Sequence, residues 1–266
     1  MTDKLGFIGL GIMGRPMALR LKKAGNELYV HARRAVSMEP LTRAGAIACA
    51  TPAEVARQAD VVFTMVSDTP DVEQVILGPS GVLEGLRGGC VVVDMSTISP
   101  SATRAIAERR CGLGAELLDA PVSGGEAGAI AGTLSIMVGG TAEAFERVKP
   151  LFDVMGGSVV HVGGNGAGQV CKSCNQVVVG HTIAGVGEAM LLAGASGVDP
   201  AKVREALLGG FANSKVLEVH GQRMIDEDFA PGFKARLHQT DMRIVLEAAH
   251  ELGLALPGAA MVAQYL

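Results

Sequence analysis

Aromatic side chains are scarce in this sequence of 266 residues, which has no Trp, two Tyr and seven Phe. Proteins that bind single-stranded nucleic acid by stacking need such side chains on their surface, and this chain has little material for it. Positive charge is scarce as well: the net charge is −4, and no basic run is longer than Arg33-Arg34 or Arg109-Arg110. Binding to a phosphate backbone normally requires a basic face, so we expect no nucleic-acid partner.

Cysteine is also sparse, with five residues, which is an odd number. The first residues, MTDKLGFIGLG, contain no apolar core followed by a small-residue cleavage site of the kind that directs export. In a chain of this length without an export signal, reduced thiols are expected rather than a disulfide framework. We therefore expect a cytoplasmic protein.

One apolar stretch, residues 177–198, is long enough to suggest a membrane span. His181, Glu188 and five glycines lie inside it. A titratable or charged group in the middle of a span is costly, and these interruptions favour a buried helix of a soluble protein. We expect no membrane partner.

The N-terminal segment KLGFIGLGIMGRPMALRLKKAG reads as strand, tight turn and helix, with glycines at positions 9, 11 and 14. In this context Gly9 suits the turn, Gly11 lets the backbone approach a pyrophosphate, and Gly14 permits close packing of helix on strand. The free N–H groups of the helix start would hold the anion. The turn therefore predicts a dinucleotide site that includes Leu10, Ile12 and Met13, and the alternative is a glycine turn without a ligand.

The end of the second strand distinguishes the two nicotinamide cofactors. An acidic residue there would bind the ribose 2′-hydroxyl, whereas an arginine accommodates a 2′-phosphate. The sequence reads His31-Ala32-Arg33-Arg34, with no acid. This favours NADP, with Arg33 or Arg34 on the phosphate. The alternative is NAD, with both arginines solvated on the surface.

Strand-like runs alternate with helical patterns up to about residue 165, and the alternation predicts a doubly wound, mostly parallel sheet. Ligands of such sheets lie beyond the C-terminal ends of the strands. A strand-end Ser or Thr can equally cap the next helix. The strand-end segments predicted to face the cofactor are Val66-Ser67-Asp68, Ser96-Thr97 and Ser123-Gly124-Gly125, and Met65 is counted with the first of them.

After this point the strand pattern stops and long helical patterns follow, at roughly 168–197, 200–208, 213–226 and 237–253. The fold class is therefore α/β, with an N-terminal Rossmann-type doubly wound parallel sheet followed by an all-α domain. We place the dinucleotide-binding domain at 1–165 and the helical domain, for substrate and oligomerisation, at 166–266. The second domain begins with a long interdomain helix.

The segment GAGQVCKSCNQ, residues 166–176, opens that helix. At 100° per residue, Gly168, Lys172 and Asn175 share one face. Cys171 and Cys174 project to the flanks, where small apolar residues suit packing. This favours packing over a redox pair or a zinc site, since a zinc site would need further ligands. For Lys172 itself the alternative is an ordinary surface lysine.

These segments together resemble the β-hydroxyacid dehydrogenase family, and within it most closely the tartronate semialdehyde reductases. The resemblance covers essentially the whole chain. It rests on FIGLGIMGRPMALRL, DAPVSGGEAGAIAGTLSIMVGG and GAGQVCKSCNQ, and on GGFANSKVLE with FAPGFKARLHQTD in the helical part. The second and third motifs are far more specific than the glycine turn.

The resemblance implies that Lys172 is the catalytic residue, that Asn175 and Ser123-Gly124-Gly125 bind the substrate, and that Thr97 lies beside the nicotinamide ribose. It implies reduction of tartronate semialdehyde to glycerate, a homodimer or homotetramer, and no metal, because the nicotinamide carries out the redox chemistry. Alternatives are 3-hydroxyisobutyrate dehydrogenase or another short β-hydroxyacid dehydrogenase. An alternative of another class is a non-catalytic NADP-binding scaffold.

Two departures from the family pattern bear on these expectations. Relatives usually carry Lys-Asp where this sequence has Thr240-Asp241, and that lysine normally lies at the cofactor or substrate. We therefore count Thr240 among the predicted cofactor-binding residues. The loss of the usual lysine is expected to affect activity or specificity. Relatives also continue through further helix after the point where this sequence ends, so we expect either a missing tail or a naturally short protein.

Overall fold

The computed structural model describes residues 3–109, 114–230 and 234–266. The chain forms two compact units, Met1–Lys172 and Ser173–Leu266. The first contains a sheet with helices, and the described part of the second is helical. The division falls inside one long helix, Ala167–Ala195, whose first residues belong to the first unit.

The described residues of the first unit form one sheet of nine strands, in the order β3-β2-β1-β4-β5-β6-β8-β7, with β9 paired to β8. The strands are β1 Leu5–Ile8, β2 Leu28–His31, β3 Ile47–Ala48, β4 Val61–Thr64, β5 Val91–Asp94, β6 Glu116–Asp119, β7 Val122–Ser123, β8 Leu134–Gly139 and β9 Gly156–Gly163. The pairs from β3 through β6 are parallel. This confirms the predicted mostly parallel sheet.

Eight α-helices and a short 3₁₀ helix, Ala35–Ser37, connect these strands in the described part of the first unit. The α-helices are α1 Gly14–Lys23, α2 Glu39–Arg43, α3 Pro52–Gln58, α4 Thr69–Leu77, α5 Val82–Gly85, α6 Pro100–Arg109, α7 Gly125–Ala131 and α8 Ala142–Met155. Side chains cap several of them: the Thr51 hydroxyl accepts the N–H of Glu54 at α3, and the Asp68 carboxylate accepts the N–H of Asp71 at α4.

The central strands are apolar along their whole length because both faces of the sheet are covered. Phe7, Val93 and Leu118 belong to one core, whereas Ile8 and Val92 belong to a second core on the other face. Successive side chains of a strand point to opposite faces, so neighbours in sequence enter different cores. A continuous apolar run is the pattern that such a buried parallel strand requires.

One edge of the sheet departs from the parallel arrangement. Strand β8 runs antiparallel to both β6 and β7, and the register pairs Asp119 with Gly139 and Ser123 with Ser135. The segment AELLDAPVS, residues 115–123, forms two short strands separated by Ala120-Pro121. Proline cannot donate a ladder hydrogen bond, which accounts for the break.

The second unit contains the rest of α9, Ala167–Ala195, with α10 Pro200–Leu208, α11 Lys215–Ile225, α12 Ala235–Glu251 and α13 Pro257–Tyr265. Met242, Val245, Ala259 and Val262 form one apolar cluster between α12 and α13. Val186 and Met190 of α9 pack with Leu217 in another. Helix α13 is not among the predicted helices, and Pro257 at its first turn is the sequence signal for its start.

Helix α9 is the one helix in the described residues that is long and apolar enough to cross a membrane, by length and composition only. It was expected to be buried, but only 22% of its most apolar window is buried. Val178, Leu191 and Leu192 are 64%, 75% and 69% exposed. The expectation is wrong for a single chain, because the other helices of the same unit leave these large apolar side chains exposed.

Candidate active site

The turn between β1 and α1 has the geometry of a cradle for a ligand backbone. Gly9 has φ +94°, and a Cβ there would collide with the carbonyl of Met65. A Cβ on Gly14 would collide with the carbonyl of Gly9. At Gly11, by contrast, a Cβ would meet no atom of the described residues within 4 Å. The first and third glycines are needed for packing, and the second leaves open space.

The start of α1 has the donors that an anion would need. No side chain caps the helix at Met13, and its first turn has no acidic residue. Uncapped N–H groups at a helix N-terminus attract phosphate. Leu10 is buried in the core, and Ile12 is 53% exposed. With the open space at Gly11, these residues fit the pyrophosphate of NAD(P).

The predicted phosphate-binding arginines lie just after β2. The Arg33 guanidinium donates to Oδ1 of Asp71 at 3.3 Å, and its side chain is 81% exposed. Arg34 is also exposed. An exposed pair of this kind contributes about 1 kcal/mol or less to stability, so Arg33 can exchange Asp71 for a phosphate at little cost.

The loops after β4 and β5 are held by a buried network. The Thr64 hydroxyl donates to Oδ1 of Asp94 at 2.7 Å, and the N–H of Ser96 donates to the same oxygen at 3.2 Å. The Ser96 hydroxyl in turn accepts the N–H of Val66 at 2.9 Å. These hydrogen bonds hold the loop segment Met65-Val66 and the loop segment with Thr97 in fixed positions relative to each other. Both segments are predicted to face the cofactor.

Asp94 is the one strongly perturbed acid that the structure places beside these loops. It is 2% exposed, and its Oδ2 has no hydrogen-bond partner among the described residues. Burial raises the pKa of Asp94 to about 6, although the bonds from Ser96 and Thr64 lower it. In the folded protein this carboxyl therefore binds a proton more tightly than in the unfolded chain.

This perturbed acid makes stability depend on pH in a defined direction. The unfolded carboxyl titrates near 3.8 and the folded one near 6, so stability falls as pH rises from about 4 to 6. The shift corresponds to about 3 kcal/mol. We expect Asp94→Asn to lose that dependence, because the amide keeps the acceptor for Thr64 and cannot ionise. Urea unfolding at pH 4.5 and 7.5 gives the free energy of unfolding of the wild type and of Asp94→Asn. If that free energy changes equally between the two pH values in both proteins, the assignment to Asp94 is contradicted.

Lys172 is buried, with 8% of its surface exposed, and its Nζ donates to the carbonyl of Val122 at 2.9 Å. The alternative of an ordinary surface lysine is therefore wrong. Val122 directly precedes Ser123-Gly124-Gly125, where Gly124 and Gly125 have φ +134° and +62°. The ammonium thus lies beside the predicted substrate-binding segment, within the first unit.

The cysteines beside this lysine form no disulfide. Cys171 is half-buried and Cys174 is exposed, so the packing interpretation suits Cys171 alone. Among the residues that the structure describes, no three His, Cys, Asp or Glu side chains lie together as metal ligands would.

In the second unit, Asn175 is the first member of a chain of side-chain hydrogen bonds. Its Nδ2 donates to Oε1 of Gln176 at 2.8 Å, and Nε2 of Gln176 donates to Oδ2 of Asp241 at 2.6 Å. Gln176 and Asp241 are buried. The Thr240 hydroxyl donates to the carbonyl of Arg236, one turn earlier in the same helix. The role of Thr240 at a cofactor stays a prediction.

Two buried residues that sequence patterns signal only weakly join the start of α9 to the sheet. Asp119, fully buried at the end of β6, accepts N–H groups of Gly166 and Gln169, and Gln169 bonds the backbone of Ser96 and Ile98. Burial raises the pKa of Asp119, and the backbone N–H bonds partly offset this. The sequence signal for Asp119 is an acidic residue at the last position of a buried strand.

Two family models match nearly the whole chain. Residues 4–163 match the NAD binding domain of 6-phosphogluconate dehydrogenase. Residues 166–266 match a model described as NAD-binding of NADP-dependent 3-hydroxyisobutyrate dehydrogenase.

Individual relatives agree with these models. The chain is 52% identical over 257 residues to 2-hydroxy-3-oxopropionate reductase of Escherichia coli strain K12, covering 97% of this chain and 88% of the relative. It is 37% identical over 264 residues to 3-hydroxyisobutyrate dehydrogenase of Pseudomonas aeruginosa, covering 97% and 88%. The structure of Mycobacterium tuberculosis 3-hydroxyisobutyrate dehydrogenase with L-serine has a TM-score of 0.92 at 30% identity, covering 99% of this chain and 92% of that one.

Proposed function

Because the chain belongs to the β-hydroxyacid dehydrogenase family of NAD(P)-dependent oxidoreductases, we propose that it reduces tartronate semialdehyde to glycerate with NADPH. The observation that carries the proposal is the buried Lys172 ammonium beside the Ser123 segment. The similarity to 2-hydroxy-3-oxopropionate reductase, which is another name for the same activity, supports this choice of substrate.

Lys172 supplies the proton in this proposal. The reduced nicotinamide, when bound, provides a hydride to the aldehyde carbon. Negative charge then develops on the aldehyde oxygen, and the Lys172 ammonium donates a proton to that oxygen, which yields the alcohol. Val122 accepts one of the three N–H bonds of the ammonium at 2.9 Å and so restrains where the amine points.

The substrate carboxylate is assigned to the segment after Val122. The Ser123 hydroxyl and the N–H groups of Gly124 and Gly125 can donate to a carboxylate. Gly125 has open space around the position of a Cβ, and Gly124 stands just before α7. The resemblance adds the Asn175 amide, which the bond to Gln176 orients.

The cofactor preference is assigned to the arginines after β2. Arg33 and Arg34 are exposed, and no acidic residue stands at the strand end to bind a ribose 2′-hydroxyl. The match of residues 166–266 to an NADP-dependent family model supports the same preference.

A panel of aldehydes tests the proposed activity. Purified protein is mixed with NADPH or NADH and with tartronate semialdehyde, methylmalonate semialdehyde or succinate semialdehyde, and loss of the reduced-nicotinamide absorbance is followed. We expect the highest kcat/KM with tartronate semialdehyde and NADPH. No loss above background with any aldehyde would reject the proposal.

The second candidate is 3-hydroxyisobutyrate dehydrogenase, favoured by the TM-score of 0.92 to the Mycobacterium tuberculosis enzyme. Its product aldehyde, methylmalonate semialdehyde, carries a methyl group where tartronate semialdehyde carries a hydroxyl. A site that hydrogen-bonds a hydroxyl rejects the methyl analogue strongly, whereas an apolar pocket discriminates only weakly against the hydroxyl. A higher kcat/KM for methylmalonate semialdehyde in the same panel would select this candidate.

We further propose that the protein is a cytoplasmic homodimer or homotetramer in which a second copy covers the exposed face of α9. An exposed patch of large apolar side chains usually marks an interaction surface. His181 and Glu188 within the helix disfavour a lipid environment instead.

Light scattering after size-exclusion chromatography tests the association. We expect a dimer or tetramer for the wild type, and a smaller species for the double variant Leu191→Glu/Leu192→Glu, because two charges would face the partner. Leu252→Glu is the matched control, since Leu252 is 72% exposed but follows α12. A monomeric wild type would contradict the proposal.

A further inference from the structure

The start of α9 is attached to the sheet through Asp119. Its Oδ1 accepts the N–H of Gly166 at 2.7 Å, and its Oδ2 accepts the N–H of Gln169 at 3.0 Å. The carboxylate lies at the N-terminus of a long helix, where the helix dipole favours negative charge. Two bonds from one rigid group fix both the position and the direction of the first helical turn.

The packing around Asp119 leaves no room for side chains. A Cβ on Gly139 would lie 2.6 Å from Oδ1 of Asp119, and a Cβ on Gly168 would lie 2.9 Å from Oδ2. Both distances are too short for real contacts. The two glycines therefore allow the backbone of β8 and the backbone of α9 to approach the same carboxylate.

Gln169 joins the same helical turn to the loop after β5. Its Oε1 accepts the N–H of Ile98 at 3.1 Å, and its Nε2 donates to the carbonyl of Ser96 at 2.8 Å. The side chain is 1% exposed. The two contacts lie on either side of Thr97, so the amide restrains the loop segment that carries the proposed nicotinamide-facing residue.

We infer that Asp119 and Gln169 are positioning residues, which hold the Lys172 ammonium and the Thr97 segment in fixed relation to each other. Lys172 lies three residues after Gln169, about 4.5 Å further along the helix axis. Val122, whose carbonyl accepts a hydrogen bond from the Lys172 ammonium, lies three residues after Asp119. All of these contacts belong to the first unit, and the inference rests on the proposed reductase function.

Two variants test the positioning with little change in volume. Gln169→Met removes both hydrogen bonds of the amide side chain. Asp119→Asn places an amide NH2 donor where one carboxylate oxygen accepts a backbone N–H. A misplacement of about 1 Å can cost about 100-fold in rate. We expect kcat for tartronate semialdehyde to fall about 10- to 100-fold in both variants, whereas KM and the Kd for NADPH change by about threefold or less.

A matched variant separates positioning from loss of stability. Val148→Ala removes a fully buried side chain of α8 that lies outside this network. It is expected to lower the free energy of unfolding with kcat close to wild type at temperatures well below Tm. A kcat within about threefold of wild type in Gln169→Met, or an equal loss in Val148→Ala, would overturn the inference.

Hydrogen exchange supplies a readout that does not depend on turnover. Without added nucleotide, Gln169→Met should speed exchange at the backbone of residues 96–99 and 166–172 and leave α8 unchanged. If the wild type reduces no aldehyde of the panel, the proposed function fails, and exchange alone then decides whether the two residues hold these segments. Unchanged exchange at both segments would overturn the inference.

Discussion

Lys172→Met is expected to lower kcat for aldehyde reduction about 1,000-fold and to leave the Kd for NADPH within about threefold of wild type. General acid catalysis contributes roughly 10²- to 10⁴-fold, and methionine keeps most of the apolar stem but has no proton to donate. The glycine turn after β1 is separated from β7, which carries Val122, by several strands of the sheet. Loss of the amine should therefore affect chemistry rather than cofactor binding.

Lys149→Met is the matched control for this prediction. Lys149 is a lysine of the same unit whose exposed side chain pairs with Asp153 on α8. Because this pair is exposed and screened by solvent, its removal should change stability very little and leave kcat unchanged. Thermal unfolding of both variants shows whether they are folded at the assay temperature. Comparable activity in the wild type and Lys172→Met would refute the role of the lysine as proton donor.

Arg33→Asp is expected to lower kcat/KM with NADPH about 10- to 100-fold and to shift the preference toward NADH. The change removes a guanidinium that can bind the 2′-phosphate and introduces a carboxylate that repels it and can bind a ribose 2′-hydroxyl. It also removes the ion pair with Asp71, which is exposed and contributes little to stability.

Three further variants resolve the contribution of each arginine. Arg33→Ala removes the cation without adding an acid next to Asp71, and Arg34→Ala tests the neighbouring side chain. Arg57→Ala is the control, because Arg57 is an exposed arginine on α3. If the preference for NADPH over NADH is unchanged in Arg33→Asp but altered in Arg34→Ala, Arg34 is the residue that binds the 2′-phosphate. An unchanged preference in all of them would contradict NADP selection by this segment.

The sheet and the glycine turn could be predicted because their signals are local. The spacing of Gly9, Gly11 and Gly14 between an apolar run and a helical pattern specifies strand, turn and helix within 20 residues. The structure places β1 and α1 accordingly. The helical second half was likewise predictable from its periodicity, and the predicted 200–208 helix coincides with Pro200–Leu208.

The contacts that organise the candidate site could not be predicted in the same way. Asp119 bonds Gly166 and Gln169 across 47 and 50 residues of chain, and Gln169 bonds Ser96 across 73. No short-range pattern records such a pairing, since it depends on which strand ends meet at one edge of the sheet. The pairing of Arg33 with Asp71 across 38 residues is of the same kind.

The burial of Lys172 could be predicted from the sequence only in part. The helix face shared by Lys172, Asn175 and Gly168 follows from a period of 3.6 residues, but the direction in which that face points does not. The unexpected exposure of α9 has the same cause. Its composition predicts burial, yet which neighbours cover a mostly apolar helix depends on tertiary and quaternary packing that composition does not encode.

A crystal structure of the protein with NADP⁺ and glycerate would show where the Lys172 amine lies when cofactor and product are both bound. We expect Nζ of Lys172 to lie within about 3 Å of the oxygen on the carbon that faces the nicotinamide. An Nζ directed away from that oxygen would contradict the role of Lys172 as proton donor.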